Sequence, residues 1–509
     1  MADHWSPKPS DFSAVFRSQN LWHSTGTVPD ALAPPTERAL ATILWRELLR
    51  PDLRRQQVIL GPRRVGKTTV MYQTVRRLLD EKVDPHRIWW VRLDHPLLIN
   101  TTLGSIVDAI VTASNASEDN PAYLFLDEVT YAESWDLWLK TFFDEQYPVR
   151  IVATSSAIAA LRTQTESGVG RWDERYLAPY LFSEYLELEP TIPLATRSLP
   201  PIGETLRETL GTLQGRLTAA YAPPDGPRET DWLERHRRRY MALGGFPELL
   251  LAKRTEDEAS DYLRSQNTLR SDAIEKAIYK DIPQTFEVRD RTGLERLLYI
   301  LAGQIAGLFS ANNVSKDAAL SQPTVERYAN YFERAFLLFL LNNYAPTEQG
   351  IQRRGRKLFF VDVAVRNAAL LRGVRPFSDP SEMGHLNENL VASHLRTLGN
   401  QTSVRLFHWR DGKKEVDFVY DHPTEPVAIE VASSGRHHRQ GLNALVEAFP
   451  RFDGATYLTS PGRGWRAAGA GQHGEIDLDE LLIAIGLQSA AAQRQPFETA
   501  SSETRQLPQ

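Results

Sequence analysis

The chain has 509 residues, 42% of them hydrophobic and 24% charged, a length and balance that call for several soluble globular domains. Its formal net charge of −5 gives no global attraction for nucleic acid or acidic lipid, so any nucleic-acid site must be a local basic patch. It contains no cysteine, which excludes disulfides, thiol catalysis and cysteine-ligated metal centres; no apolar run approaches the roughly 18 residues of a spanning helix, and MADHWSPKPSDF lacks an apolar signal core, so a cytoplasmic protein without a membrane partner is expected.

Residues 1–35 bear Pro and Ser with scattered aromatics (Trp5, Phe12, Phe16, Trp22) and read as an extended arm docked in part through its rings. Over 36–57 the pattern becomes helical, with Thr36 as its expected N-cap. The apolar run Val58-Ile59-Leu60 then stops, and Gly61-Pro62-Arg63-Arg64-Val65-Gly66-Lys67-Thr68 fits G-x-x-x-x-G-K-[ST] at every fixed position, followed by Thr69. Glycines permit backbone conformations that a Cβ forbids, so successive N–H groups can turn inward around phosphate oxygens. In such a loop Lys67 reaches the β- and γ-phosphates, Thr68 binds Mg²⁺, and the helix predicted over 70–81 adds the partial positive charge of its N-terminus. ATP and Mg²⁺ are the cofactors implied.

A buried strand is expected at 88–96 and an amphipathic helix at 103–114. The stretch 121-PAYLFLDEVTYAESW-135 reads as a strand delivering Asp127 and Glu128 at its carboxyl end. Asp127 is expected to hold Mg²⁺ with Thr68, and Glu128 to orient and deprotonate the attacking water. A third buried strand, 149-VRIVATSSA-157, ends in Thr154, Ser155 and Ser156, hydroxyls placed to sense the γ-phosphate or to cap the next helix. Arg171 and Arg175 follow, each a candidate to reach a phosphate in its own subunit or a neighbour's, with a solvated salt bridge as the alternative.

The order GPRRVGKTT, LFLDEV, a strand ending in Thr-Ser-Ser, then GR and a Pro…Phe-x-Glu-Tyr segment resembles a bacterial and archaeal AAA+ family whose members are usually labelled only as ATP-binding proteins. Further along, 244-GGFPELL-250 and 278-IYKDIPQ-284 resemble the same family's Gly-Gly-Phe-Pro-Glu and Tyr-x-x-Asp-Ile segments. The resemblance implies an α/β chain: a P-loop AAA+ core with a parallel sheet, then a helical and winged-helix region, then a small endonuclease-like α/β domain. The expected boundaries are an arm at 1–35, the ATPase at 36–190, a helical connector at 191–290, a winged helix at 291–375, an endonuclease-like domain at 376–485 and a disordered tail at 486–509.

The connector is rich in Pro, Thr and Gly around one helix at 203–221, and is followed by a basic cluster at Arg235, His236, Arg237, Arg238 and Arg239 that reads either as a phosphate contact or as a solvated helix face. Residues 314–338 read as a helix-turn-helix, with Gln322, Thr324 and Arg327 on its second helix and Arg353, Arg354, Arg356 and Lys357 on a basic wing, all expected to meet DNA in a DNA-binding version. From 384 to 485 the order helix, three strands, helix, strand, with Glu388, Asp417 and Glu430, resembles a restriction-endonuclease core. The usual Glu-x-Lys is Glu430-Val431-Ala432, so the lysine is a methyl group; Lys413, Lys414 or His437 are the neighbours that could replace it, and an inactive scaffold is expected.

The function that follows is ATP hydrolysis by a homo-oligomer that remodels or translocates on DNA, branched or damaged DNA included. The alternative is an ATP-gated switch that engages a protein partner in defence or stress signalling. An ATP-regulated, metal-dependent nuclease is disfavoured by Ala432.

Overall fold

The computed structural model describes residues 9–50, 55–156, 170–189, 199–221, 229–253, 255, 257–353, 355–432 and 438–503. The chain divides into two compact units, residues 1–177 and 178–509.

In the first unit, the apolar runs form five parallel strands: β1 (Gln56–Leu60), β2 (Ile88–Arg92), β3 (Ala122–Asp127), β4 (Val149–Ser155) and β5 (Trp172–Tyr176), in the order β2-β3-β4-β1-β5. Their near-continuous burial is what a sheet covered on both faces requires. Because every strand runs the same way, the ends of β1, β3 and β4 lie along one edge of the sheet, with Ile59 in register with Thr154 and Leu126 with Ala153. That edge receives the residues after Leu60, the Asp127-Glu128 pair and the Thr-Ser-Ser run. Helix Lys67–Asp80 packs Val70, Val75 and Leu78 into the core against Ile59, Phe125 and Val152.

The N-terminal arm is docked, as its aromatics predict, but it is helical rather than extended: Pro9–Gln19 and Trp22–Thr25 are short helices. Between them Asn20 accepts from Trp90 N at 2.6 Å and donates to Trp90 O at 3.0 Å, and Trp22 Nε1 donates to Ile88 O at 2.9 Å. These side chains take up backbone groups of β2, the outer strand of the sheet, which would otherwise be an open edge. The following helix begins at Ala39 with Arg38 at its cap position, not Thr36, whose carbonyl instead accepts from Gln73.

The second unit holds two sheets, a large apolar core and a smaller one around Tyr344, Phe407, Trp409 and Leu445. Strands β6 (Leu308–Phe309), β7 (Leu338–Leu341) and β8 (Arg356–Phe360) form an antiparallel sheet in the order β6-β8-β7, with helices Arg291–Ala302, Ala311–Ala318 and Gln322–Arg334 around it. Strands β9 (Arg405–Asp411), β10 (Lys414–Asp421), β11 (Val427–Val431), β12 (Thr456–Ser460) and β13 (Gly474–Asp477) form the other in the order β13-β12-β11-β10-β9, antiparallel from β9 to β11 and parallel beyond.

Three expected boundaries change. Phe182, Tyr185 and Leu186 are buried among Tyr240, Leu243 and Phe246, so the first unit ends at Leu177 rather than 190. The segments 191–290, 291–375 and 376–485 all contribute to one large apolar core, and a smaller core joins Tyr344 and Ile351 to Phe407, Trp409 and Leu445. The tail expected to be disordered from 486 is helical as far as it is described: helix Leu478–Glu503 runs into it, and Gln488, nearly fully buried, accepts from Thr209 at 2.7 Å and donates to Glu204 O at 3.0 Å, while 504–509 lie outside the described residues.

The Gly-Gly-Phe-Pro segment has a packing reason. Gly244 sits at φ +72°, and a Cβ on Gly245 would lie 2.3 Å from Tyr180 O. The bare backbone lets Tyr180 N donate to Gly245 O at 2.8 Å and Gly245 N donate to the buried Asp362 at 2.8 Å, tying three distant stretches together.

Candidate nucleotide-binding site

The turn after β1 is shaped by two glycines for different reasons. Gly66 lies at φ +96°, where a side chain would be strained, whereas Gly61 is needed because a Cβ there would come within 2.3 Å of Leu177 O. Arg64 also adopts a left-handed conformation at φ 66°. Pro62 and Val65 are buried, Arg63 is half-buried and Thr69 lies in the first turn of the helix.

Lys67 is buried, its Nζ donating to Gly61 O and Pro62 O at 2.9 Å each and to Ser156 Oγ at 3.0 Å. The next residue, Thr68, places its hydroxyl 3.1 and 3.0 Å from the two carboxylate oxygens of Asp127. Thr154 Oγ1 donates to Asp127 at 2.7 Å and accepts the Glu128 backbone N–H at 2.8 Å. One hydroxyl therefore fixes both acidic residues, and Glu128 follows the strand in a left-handed conformation, φ 57°, that turns its side chain out of the strand's alternation. Ser156 donates to Glu128 Oε1 at 3.0 Å while accepting from Lys67, so it bridges the lysine and the glutamate.

Burial pushes the Asp127 carboxyl up to about 6; Glu128 adds to the rise, and hydrogen bonds from Thr154 and Thr68 pull against it. A carboxyl raised in this way carries a charge that the protein leaves partly uncompensated. A hydroxyl and a buried carboxylate side by side, next to a lysine held on carbonyls, fit Mg²⁺ and a nucleotide phosphate: Thr68 and Asp127 would hold the ion, and Lys67 with the amides of the turn would hold the phosphates.

The structure thus brings together Lys67, Thr68, Asp127, Glu128 and Thr154, as expected from the sequence. Ser156, the last of the three expected hydroxyls, joins the polar cluster through Glu128. One expectation needs correction. Arg171 is held bidentately by Asp144, Nε to Oδ1 at 2.8 Å and Nη2 to Oδ2 at 3.1 Å, just before β5 begins. Because β5 runs parallel to β1, Arg171 lies at the opposite end of the sheet from the phosphate turn, about 16 Å away at roughly 3.3 Å per residue. It does not serve the site of its own chain. Arg175 donates to Gln57 at 2.9 Å.

The expected nucleic-acid contacts are likewise sorted. In the basic cluster, Arg237 is buried on Asp479 at 2.7 Å, Arg238 pairs with Glu234 at 2.7 Å, Arg239 lies 3.8 Å from Glu258 and His236 meets the Tyr185 hydroxyl at 2.9 Å; the cluster is mostly an ion-paired helix. On helix Gln322–Arg334, Gln322 and Arg327 are exposed and Thr324 is half-buried. The stretch expected as a basic wing begins in the short helix Glu348–Arg353. Arg354 and the side chain of Arg353 lie outside the described residues. Arg356 pairs with Glu326 at 2.5 Å, and Lys357 is not a wing residue at all, since its side chain is buried among carboxylates.

Two of those carboxylates, Glu388 and Asp417, are among the three singled out in the sequence, and the third is Glu415. A β-bulge between Val416 and Val419 re-aims Asp417. Its backbone N–H donates to Glu430 Oε2 at 3.2 Å, while its own carboxylate accepts from Val431 N at 2.9 Å. Glu388, on helix Pro380–Thr402, completes the group. Of the candidate replacements for the missing lysine, Lys413 and Lys414 are exposed and His437 lies outside the described residues; the cation present is Lys357.

A P-loop on a five-stranded parallel sheet, with an Asp-Glu pair closing the neighbouring strand, defines an α/β nucleotide-binding fold of AAA type, followed by helical and further α/β regions. Residues 54–186 match the family described as an AAA domain, running slightly past the first compact unit. Residues 234–375 and 383–463 match two families described as domains of unknown function, DUF8612 and DUF4143. Two uncharacterized proteins of Methanocaldococcus jannaschii are similar over most of the chain: one is 25% identical over 393 residues, 76% of this chain and 77% of its own, and the other 23% identical over 368 residues, 71% of each. Among solved structures, the Aeropyrum pernix ORC1 protein in complex with DNA is 13% identical, covering 68% of this chain and 95% of that one with a TM-score of 0.30. Cdc6p from Pyrobaculum aerophilum is 14% identical, covering 71% of this chain and 99% of that one with a TM-score of 0.26. Among the described residues no helix is long and apolar enough to cross a membrane.

Proposed function

We propose that the first unit is a magnesium-dependent ATP hydrolase and that the second unit applies its cycle to DNA. The observation that carries the first half is the Thr68–Asp127 contact beside Lys67, because it sets a hydroxyl and a buried carboxyl at the foot of a phosphate turn. When bound, magnesium and ATP supply the phosphoanhydride and the divalent counter-charge. Lys67 then leaves the carbonyls of Gly61 and Pro62 for phosphate oxygens, a change that needs only rotation of a flexible stem. Glu128, anchored at its backbone by Thr154, takes the proton of the attacking water, and Ser156 reports on both partners through its two hydrogen bonds. Phosphate release from ATP, with and without Mg²⁺, tests the reading: a purified chain that neither binds ATP nor releases phosphate refutes it.

DNA as the object of the cycle is supported by the order helix, strand, two helices and a hairpin over 291–360, which we read as a winged helix whose helix Gln322–Arg334 presents Gln322, Arg327 and Asn330 to solvent. With Arg356 ion-paired to Glu326 and Lys357 buried, few phosphates are neutralised, so a shallow salt dependence is expected, with a slope in log affinity of about −1 to −3. Residues 380–460 we read as an endonuclease-like scaffold that does not cut, given Ala432. ATPase rates with duplex, single-stranded and branched DNA test this half. Rates indifferent to every nucleic acid, with Arg327→Ala unchanged, would favour the nucleotide-gated switch on a protein partner.

A further inference from the structure

The acidic group of the second unit contains an internal cation that comes from a different part of the chain. Lys357 is the second residue of β8, in the segment matched by one family, whereas Glu388, Glu415, Asp417 and Glu430 belong to the segment matched by another. Its Nζ lies 2.5 Å from Glu388 Oε1, 2.7 Å from Glu415 Oε1 and 2.9 Å from Asp417 Oδ1, with 5% of the side chain exposed. Burial works against the ammonium charge, but Asp417, Glu388 and Glu415 outweigh it and hold the group well above its ordinary range. Glu388, itself buried, is raised well above the usual carboxylate range by burial and by Asp417.

Two features set this group apart from an ordinary ion pair. The carboxylates stand where the endonuclease-like order of elements puts acidic residues on the first helix, the second strand and the third strand, and the ammonium sits among them. Moreover one buried ammonium is shared by three carboxylates at once, so it acts as their common counter-ion rather than as half of a single pair. A compact cation ringed by acidic oxygens is the arrangement a metal ion also makes. Among the described residues no three carboxylate or imidazole groups are arranged around an open metal position.

We propose that Lys357 is the resident cation of this pocket, occupying with its ammonium the place that a divalent metal ion would take between Glu388 and Asp417. The pocket is then a divalent-cation site closed by the chain's own side chain. An ammonium supplies counter-charge but neither a metal-bound water nor a Lewis acid, so the scaffold holds together without cleaving phosphodiesters. The same contact fastens β8, and with it the three-stranded sheet, to β10.

The test is Mn²⁺ uptake by the full-length, nucleotide-free chain, read from the electron paramagnetic resonance of the free ion. Wild type and Lys357→Met are compared, so that any ion held at Thr68 and Asp127 cancels. Lys357→Met is expected to bind an additional ion at least about tenfold more tightly than wild type does, and to lose it again when Asp417→Asn is added, because opening the site turns folding energy into metal affinity. If Lys357→Met does not fold in EDTA, refolding it with Mn²⁺ should restore native circular dichroism, and should fail in the double variant. No additional ion together with no Mn²⁺ rescue overturns the proposal. So does a wild-type chain whose own Mn²⁺ uptake falls on Asp417→Asn, since lysine and metal would then share the pocket. Neither outcome bears on the ATPase, which lies in the other unit.

Discussion

Each unit contains a buried lysine close to acidic residues, and the two are used in opposite ways. Lys67 donates to two carbonyls and to Ser156, whose hydroxyl stands between it and Glu128, while the Thr154 hydroxyl joins Asp127 to the Glu128 backbone. Lys357 sits directly against three carboxylates. The first arrangement holds positive and negative charge apart by one hydroxyl, ready for a ligand that brings both phosphate and metal. The second has already neutralised itself. Composition does not distinguish them; spacing does.

The largest expected effect comes from breaking the self-neutralised cluster. Lys357→Met leaves buried carboxylates without their cation, and stability measured by denaturant unfolding in EDTA should fall by about 3–5 kcal/mol, with ATP turnover per folded molecule unchanged. A loss under about 1 kcal/mol would mean the cluster is hydrated and the contrast with Lys67 is false. The mirror experiment is Lys67→Ala: turnover should fall by about 10²–10³-fold, while stability changes by only about 1 kcal/mol because the lost partners are neutral. Glu128→Gln should bind ATP as wild type does and still lose turnover by a similar factor; an unchanged rate would remove Glu128 from the chemistry.

Acidity separates the two functions of one carboxyl, with opposite signs. Asp127 is pushed up to about 6 in the folded chain against an ordinary 3.8, so between those values the folded state binds more protons than the unfolded one. Its contribution to stability therefore falls as pH rises from about 4 to about 6 and is flat above. Asp362 and Asp479, each raised to about 6 by burial, act in the same direction. Magnesium needs the ionised form, so Mg²⁺-dependent nucleotide affinity should instead weaken about fivefold from pH 6 to pH 5, beyond the ligand's own titration. Isothermal titration across that range checks it, and a flat profile would mean that Asp127 is ionised throughout.

How legible these sites were in the sequence follows from how local their determinants are. The phosphate turn and the Asp-Glu pair were readable because each is contiguous and because parallel crossovers bring strand ends to one edge, as they do at Gly61, Asp127 and Thr154. Arg171 was misplaced because the distance from a motif along the chain says nothing about which end of a strand a residue occupies; it precedes β5, and Asp144 holds it there. Lys357 was lost in the basic run 351-IQRRGRK-357, but the signal was present two residues on. Lys357 alternates with Phe359, whose ring meets Phe418 at 5.6 Å, so the lysine had to lie on the face turned toward β10 and Asp417. The boundary at 190 failed for a similar reason: a Pro-rich stretch marks where the chain turns, whereas the core decides where the unit ends, and Phe182 and Tyr185 already belong to the second.

The smallest effect is the most informative about the ATPase arrangement. Ser156 is the group through which Lys67 and Glu128 are joined, accepting from one at 3.0 Å and donating to the other at 3.0 Å. Ser156→Ala removes that bridge without touching the contacts of Thr68, Asp127 or Thr154. If the serine only satisfies buried polar atoms, the loss is about 1 kcal/mol of stability and turnover stays within about twofold. If it holds Glu128 in place for the attacking water, turnover falls severalfold, about tenfold at most, while ATP affinity is retained, because Lys67 keeps its path to the phosphates. Cysteine at the same position, able to accept and donate weakly, should recover part of the rate in the second case and nothing in the first. The split between turnover and affinity, read from single-turnover kinetics, therefore decides whether the hydroxyl spacing that distinguishes Lys67 from Lys357 is part of the reaction or only part of the packing.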